Sequence, residues 1–158
     1  MRGVQIRGGF HDFVIRPGGV FVFPRLVAAD HEMAEHGTPA TSGTSIDTLV
    51  GGGLERGTST LLMGPSGVGK STIACTYCQA ALTRGETVLV LLFDETNHIF
   101  LSRAAGLGMD FRGLVETGNL LLEQVDPAEL SPGELSSRIR SAVDRSNARI
   151  VVVDSLTG

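Results

Sequence analysis

The chain has 158 residues, 42% of them apolar, with 21 glycines, two cysteines and a formal net charge of −4. That length fits one domain with a real core, the glycine share is about twice the usual one, and the acidic balance gives no overall electrostatic case for nucleic-acid binding. No apolar run approaches membrane-spanning length and no signal peptide opens the chain, so a soluble, cytoplasmic protein is expected.

Residues 1–27 read as β-structure. Phe10, Phe13 and Ile15 alternate with polar residues, Pro17-Gly18-Gly19 is a turn, and Val20-Phe21-Val22-Phe23 follows. Such a hairpin is too small to hold a core and needs something to pack on. From Ala28 to Ser45 the composition turns polar, and residues 28–40 read as a linker. The main unit, 41–158, begins with a short helical piece at Ile46–Val50 and a double turn at Gly51–Gly57. Thr58–Met63 is apolar and short enough for a buried strand.

That strand leads into Gly64-Pro65-Ser66-Gly67-Val68-Gly69-Lys70-Ser71-Thr72, which fits G-x-x-x-x-G-K-[ST] with no substitution at a required position. The glycines let successive backbone N–H groups point into one concavity suited to a phosphate chain. Lys70 adds a positive charge for the β- and γ-phosphates, and Ser71 offers a hydroxyl to Mg²⁺. Ile73, Ala74, Tyr77, Cys78, Ala81 and Leu82 then recur at helical spacing, with Gly85 where a C-cap belongs. A strand leading in and a helix leading out make this a site for a nucleoside triphosphate.

Thr87–Phe93 is the second strand, apolar on both faces as in a covered parallel sheet, and it ends in Asp94-Glu95. Thr96–Ala105 is helical, Leu107–Thr117 mixes a short helix with turn, and Asn119–Val125 is a third strand. Ser131 as N-cap, Pro132 at N1 and Glu134 at N3 form a capping box. The helix it opens points Leu135, Ile139, Ala142 and Val143 inward, with Arg138, Arg140 and Arg145 on a solvated face. Arg149–Asp154 is a buried strand ending in a carboxylate placed to hold the Mg²⁺ shell. Alternating strands and helices specify an α/β fold with ligands at the C-terminal strand ends. Cys75 and Cys78 lie inside the first long helix, so the C-x-x-C pair suits neither redox chemistry nor zinc; Cys78 reads as core and Cys75 as a helix-face residue. The four histidines have no ligand spacing.

Three strand ends thus converge: the phosphate loop, Asp94-Glu95 and Asp154. Lys70 with Mg²⁺ neutralises phosphate, and Glu95 is the natural group to orient or deprotonate water. The bland alternative for Asp94-Glu95 is an acidic pair placed for the dipole of the following helix.

The run from Gly43 to Gly57 entering this phosphate loop resembles the entry to a KaiC-type ATPase domain of the RecA superfamily. Phe93-Asp94-Glu95-Thr96, the stretch 126–134 and Val152-Val153-Asp154-Ser155-Leu156 carry the same likeness, which spans about residues 41–158. The resemblance implies a RecA-like, mainly parallel sheet flanked by helices, with ATP and Mg²⁺ as ligands. It implies Glu95 as the hydrolytic base beside Asp94, where the family usually has Glu-Glu. It also implies ATP-bridged homo-hexamers, a signalling or circadian-clock-like role and, in some members, autophosphorylation. Residues 7–13 and 18–26 resemble the tail of a preceding KaiC-type domain. The chain stops four residues past Asp154, so the resemblance implies a fragment lacking the strand that would separate Thr58–Met63 from the Asp154 strand. Two other readings stay open: a RadA-like DNA-repair ATPase stimulated by single-stranded DNA, and a nucleotide-dependent interaction module without hydrolysis.

Overall fold

A computed structural model describes residues 8–26, 37–126 and 128–155. The proposed linker therefore falls largely outside the described residues, as do Pro127 and Leu156 of the quoted motifs.

The chain opens with an antiparallel hairpin, β1 (Asp12–Arg16) and β2 (Gly19–Phe23), closed tightly enough that Arg16 pairs with Gly19. It rests on the last long helix, α5 (Pro132–Ser146). Asp12 Oδ2 accepts the Gly133 N–H at 2.6 Å, and Arg16 pairs with the buried Glu134. This modifies the expected capping box. Ser131 Oγ accepts the Glu134 N–H at 3.2 Å as anticipated, but the Glu134 carboxylate meets Arg16 across the hairpin contact. A charged partner outside the helix wins over a neutral backbone donor within it.

The rest of the described chain is a three-layer α/β unit. After α1 (Ile46–Leu49) and α2 (Lys70–Thr83) come β3 (Val88–Leu92), α3 (Asn97–Gly106), α4 (Arg112–Glu116), β4 (Leu120–Gln124), α5 and β5 (Ile150–Asp154). The sheet is parallel with order β4-β3-β5. All five side chains of β3 are fully buried, as a central parallel strand covered on both faces requires. Strand alternation divides them. Val88, Val90 and Leu92 pack with Cys75, Cys78, Ala81, Phe100 and Phe111 on the α2–α3–α4 side. Leu89 and Leu91 pack with Ala142 and Val125 on the α5 side. Phe100 and Phe111 stack at 6.1 Å between ring centroids.

Two expectations are corrected here. Thr58–Met63 is not a strand; Leu61 and Met63 are 72% and 82% exposed. A strand exists only through ladder pairing, and no described strand pairs with this segment: the sheet is β4-β3-β5 alone. Cys75 is not a helix-face residue but as buried as Cys78, because both thiols lie in the core cluster that α2 forms with β3, Phe100 and Phe111. The loop 38–57 wraps another side of α2: Tyr77 donates to Asp47 Oδ1 at 3.0 Å, Arg84 to Thr41 O at 3.1 Å, and Arg56 pairs with Glu86 at 2.7 Å. Ala40 and Leu54 close this loop with two backbone bonds of 2.8 Å. Gly53 allows the approach: at φ +132°, a Cβ there would lie 2.8 Å from Ala40 O.

Candidate functional site

The phosphate loop runs from Gly64 into the first turn of α2. Gly67 and Gly69 sit at φ 81° and 93°, a region that side chains avoid. Gly69 is the N-cap of α2 and offers no capping side chain. The first-turn N–H groups therefore keep the orphan character that favours an anion. Lys70 folds back across the loop, its Nζ donating to Gly64 O at 2.8 Å and Pro65 O at 2.9 Å. An ammonium held on exposed carbonyls can move onto phosphate oxygens at little cost, because water replaces it at the carbonyls.

The acids lie at the C-terminal ends of β3 and β5. Leu92 is in register with Asp154, and Phe93 N–H donates to Asp154 O at 2.9 Å. Asp94 and Glu95 leave the sheet immediately beyond that bond. Asp94 Oδ2 accepts from Ser155 Oγ at 3.0 Å. Glu95 Oε1 and Oε2 accept from Arg103 Nη2 and Nε at 2.5 and 3.4 Å. The same Nη2 lies 3.8 Å from Asp154 Oδ2. The bond to Glu95, opposed in part by burial, raises the Arg103 pKa above its usual value. The guanidinium also lies 5.6 Å from the centroid of the Phe100 ring.

The acids connect to the loop through α2, which packs against β3 and β5. The Cys75 thiol adjoins Arg103 and feels Asp154 and Glu95; burial pushes its pKa up, and the arginine opposes that rise. Ser71 lies four residues before Cys75 and so on the same helical face. A hydroxyl and a carboxylate from adjoining elements are the hard oxygen donors that Mg²⁺ accepts when phosphate and water complete its shell. Among the described residues no cluster of three His, Cys, Asp or Glu side chains could hold a metal without such help. By donor chemistry, Ser71 and Asp154 fit such an ion.

Thr96, between the acids and α3, caps that helix by accepting the Ile99 N–H at 3.3 Å. The side chain that caps α3 is thus Thr96 rather than either acid. Arg103 escapes sequence reasoning, since one arginine in the last turn of α3 reads as an ordinary C-terminal cation. Asp47 was visible only as part of a longer motif. Its carboxylate gathers Ser42 N–H at 2.9 Å, Gly43 N–H at 2.9 Å, Ser42 Oγ at 3.0 Å and Tyr77 Oη. The Ser42 backbone bond, followed against some burial by the hydroxyl and Gly43 bonds, holds its pKa below the usual carboxylate range. A groove of about 400 Å³ lined by Arg16, Phe23, Glu134 and Arg138 lies between the hairpin and α5, away from this chemistry.

Residues 40–158 match a protein family described as "ATPase: KaiC". Over 99% of its length the chain is 31% identical to the circadian clock oscillator protein KaiC of Synechococcus elongatus, covering 30% of that protein. It is 27% identical over 98% of its length to the circadian clock protein KaiC2 of Synechocystis sp., and 26% over 96% to KaiC3 of the same organism, covering 28% and 30% of them. The chain thus spans about 30% of the length of these curated relatives. No described helix is long and apolar enough to cross a membrane. An unsubstituted phosphate loop, acids at two adjacent strand ends and a family match across three quarters of the sequence lead to one statement: this chain belongs to the KaiC ATPase family.

Proposed function

We propose that the chain is the nucleotide-binding part of a Mg²⁺-dependent ATPase that works in the cytoplasm as a homo-hexamer in signalling or clock-type timing. The observation that carries the reading is the meeting of Glu95 and Asp154 through Arg103, beside the helix that the phosphate loop opens. The loop from Gly64 to Thr72 wraps the phosphates, and Lys70 leaves the Gly64 and Pro65 carbonyls for the β- and γ-phosphate oxygens. Ser71 and Asp154 hold the metal, which when bound offsets charge on the phosphates. Glu95, held with its more weakly bonded Oε2 available, orients the attacking water and takes its proton. Asp94, fixed by Ser155, keeps the acidic segment in place. Autophosphorylation belongs to the same reading as a variant, and the hairpin at 1–27 is the end of a preceding domain.

The test is ATP hydrolysis by the full-length protein with and without Mg²⁺, compared with Glu95→Gln. Loss of a general base lowers turnover by about 10²–10⁴-fold, while Mg-ATP binding stays. Firm binding with no wild-type hydrolysis in any metal would replace this reading with that of a nucleotide-dependent interaction module.

A further inference from the structure

We propose that Arg103 is the positioning residue of this site, fixing the Glu95 carboxylate beside Asp154 so that base and metal-side acid share one geometry. The inference rests on the reading of Glu95 as the base. Three carboxylates, Asp94, Glu95 and Asp154, leave adjacent strand ends, and like charges so placed repel. Among the described residues the cation that lies on two of them is Arg103. Its own place is set from the core side. Phe100, one helical turn earlier on α3, is 2% exposed and stacked on Phe111, and the guanidinium lies against its ring. Arg103 is thus tied to the sheet ends on one side and the packed core on the other.

The contact is uneven in a useful way. Oε1 is held at 2.5 Å and Oε2 only at 3.4 Å, so one oxygen anchors the side chain while the other keeps lone-pair capacity for water. A guanidinium does this with a planar fork, whereas a lysine ammonium supplies the charge through a single point. Arg103 meets Glu95, Asp154 and the Phe100 ring, whereas Lys70 is held within the loop by Gly64 and Pro65. Its removal therefore acts on turnover through Glu95 and leaves ATP binding by Lys70 and the loop intact.

The experiment is steady-state ATP hydrolysis by the full-length protein as wild type, Arg103→Ala, Arg103→Lys, Glu95→Gln and the Arg103→Ala/Glu95→Gln pair. Arg103→Ala is expected to lower kcat by about 10–100-fold with KM for ATP within about twofold, the range for losing a group that orients another. Arg103→Lys recovers part of the loss, and Arg103→Ala costs nothing further once Glu95 is Gln. Wild-type kcat, raised kcat or an undiminished loss in the Glu95→Gln background would each overturn the inference. Melting midpoints of the same set without nucleotide form a double-mutant cycle. A coupling of zero between Arg103 and Glu95 overturns it whatever the hydrolysis rate, and Arg103→Lys supplies the comparison if the alanine variant does not fold. Glu95→Gln at wild-type rate instead defeats the base reading itself, a result distinct from an unimpaired Arg103→Ala beside an impaired Glu95→Gln.

Discussion

Replacing Lys70 by alanine separates a phosphate ligand from a structural strut. In the free protein the ammonium makes two bonds, to Gly64 O and Pro65 O, both water-exposed. Water takes over at those carbonyls, so Lys70→Ala should move the melting midpoint without nucleotide by no more than about 2 °C. With Mg-ATP at a hundred times Kd, mass action stabilises the wild type by about 2.7 kcal/mol. For a domain of this size that raises the midpoint by about 5–11 °C. An ammonium on two phosphates contributes about 3 kcal/mol of charge-assisted bonding, so the variant binds roughly a hundredfold more weakly. At the same ATP concentration its gain falls to about 0.4 kcal/mol, a shift of about 1 °C. Differential scanning fluorimetry with Mg-ATP, Mg-ADP and no nucleotide reads all three quantities. A variant whose nucleotide-free midpoint drops as far as the lost ligand shift would make Lys70 structural. An undiminished ligand shift would remove Lys70 from phosphate binding altogether.

Further predictions address the frame around the site. Phe100→Ala deletes a buried ring and the surface beneath Arg103, and should cost about 3–5 kcal/mol in urea unfolding; less than about 1 kcal/mol would mean that the stack with Phe111 is not a core contact. Asp47 has a lowered pKa in the folded chain, so its stabilising effect is complete above the ordinary carboxylate value of about 4 and fades as pH falls through the lower folded value. The midpoint gap between wild type and Asp47→Asn should therefore be full at pH 7 and close below about pH 4; a gap that widens on acidification contradicts the sign. Burial raises both thiols, Cys78 beyond Cys75. Ellman's reagent at pH 8 should label neither in the folded chain and both in urea, and prompt labelling of the native protein would show that α2 is not packed as described.

Features with local causes were legible from sequence. β3, β4 and β5 fall within a residue of their expected limits, Ser131 caps α5 and Gly85 follows α2 at φ 79°. Each follows from residues within one or two turns of chain. What escaped depends on distant partners. Thr58–Met63 has the composition of a buried strand, yet composition cannot supply a neighbouring edge. The Glu134 carboxylate follows a capping rule until Arg16, 118 positions away, presents a guanidinium. Cys75 is buried in the cluster that β3, Phe100 and Phe111 build, residues that come later in the chain. At the candidate site, the positions of the phosphate-loop pattern and of the acids at the ends of β3 and β5 were legible, because each follows a recognisable run. The contacts of Arg103 were not, because they join residues of separate elements.

The strand order has a consequence for how the protein is made. β3 lies between β4 and β5, and both join it only after later helices have been synthesised. Parallel pairing of this kind closes long loops and is slow. A chain leaving the ribosome exposes its phosphate loop first, then Asp94 and Glu95, and Asp154 last of all. The phosphate-loop sequence thus emerges before Asp154 exists, while β3 waits with an open apolar edge. The arrival of β5 closes that edge and brings Asp154 beside Arg103 and Glu95 in the same step.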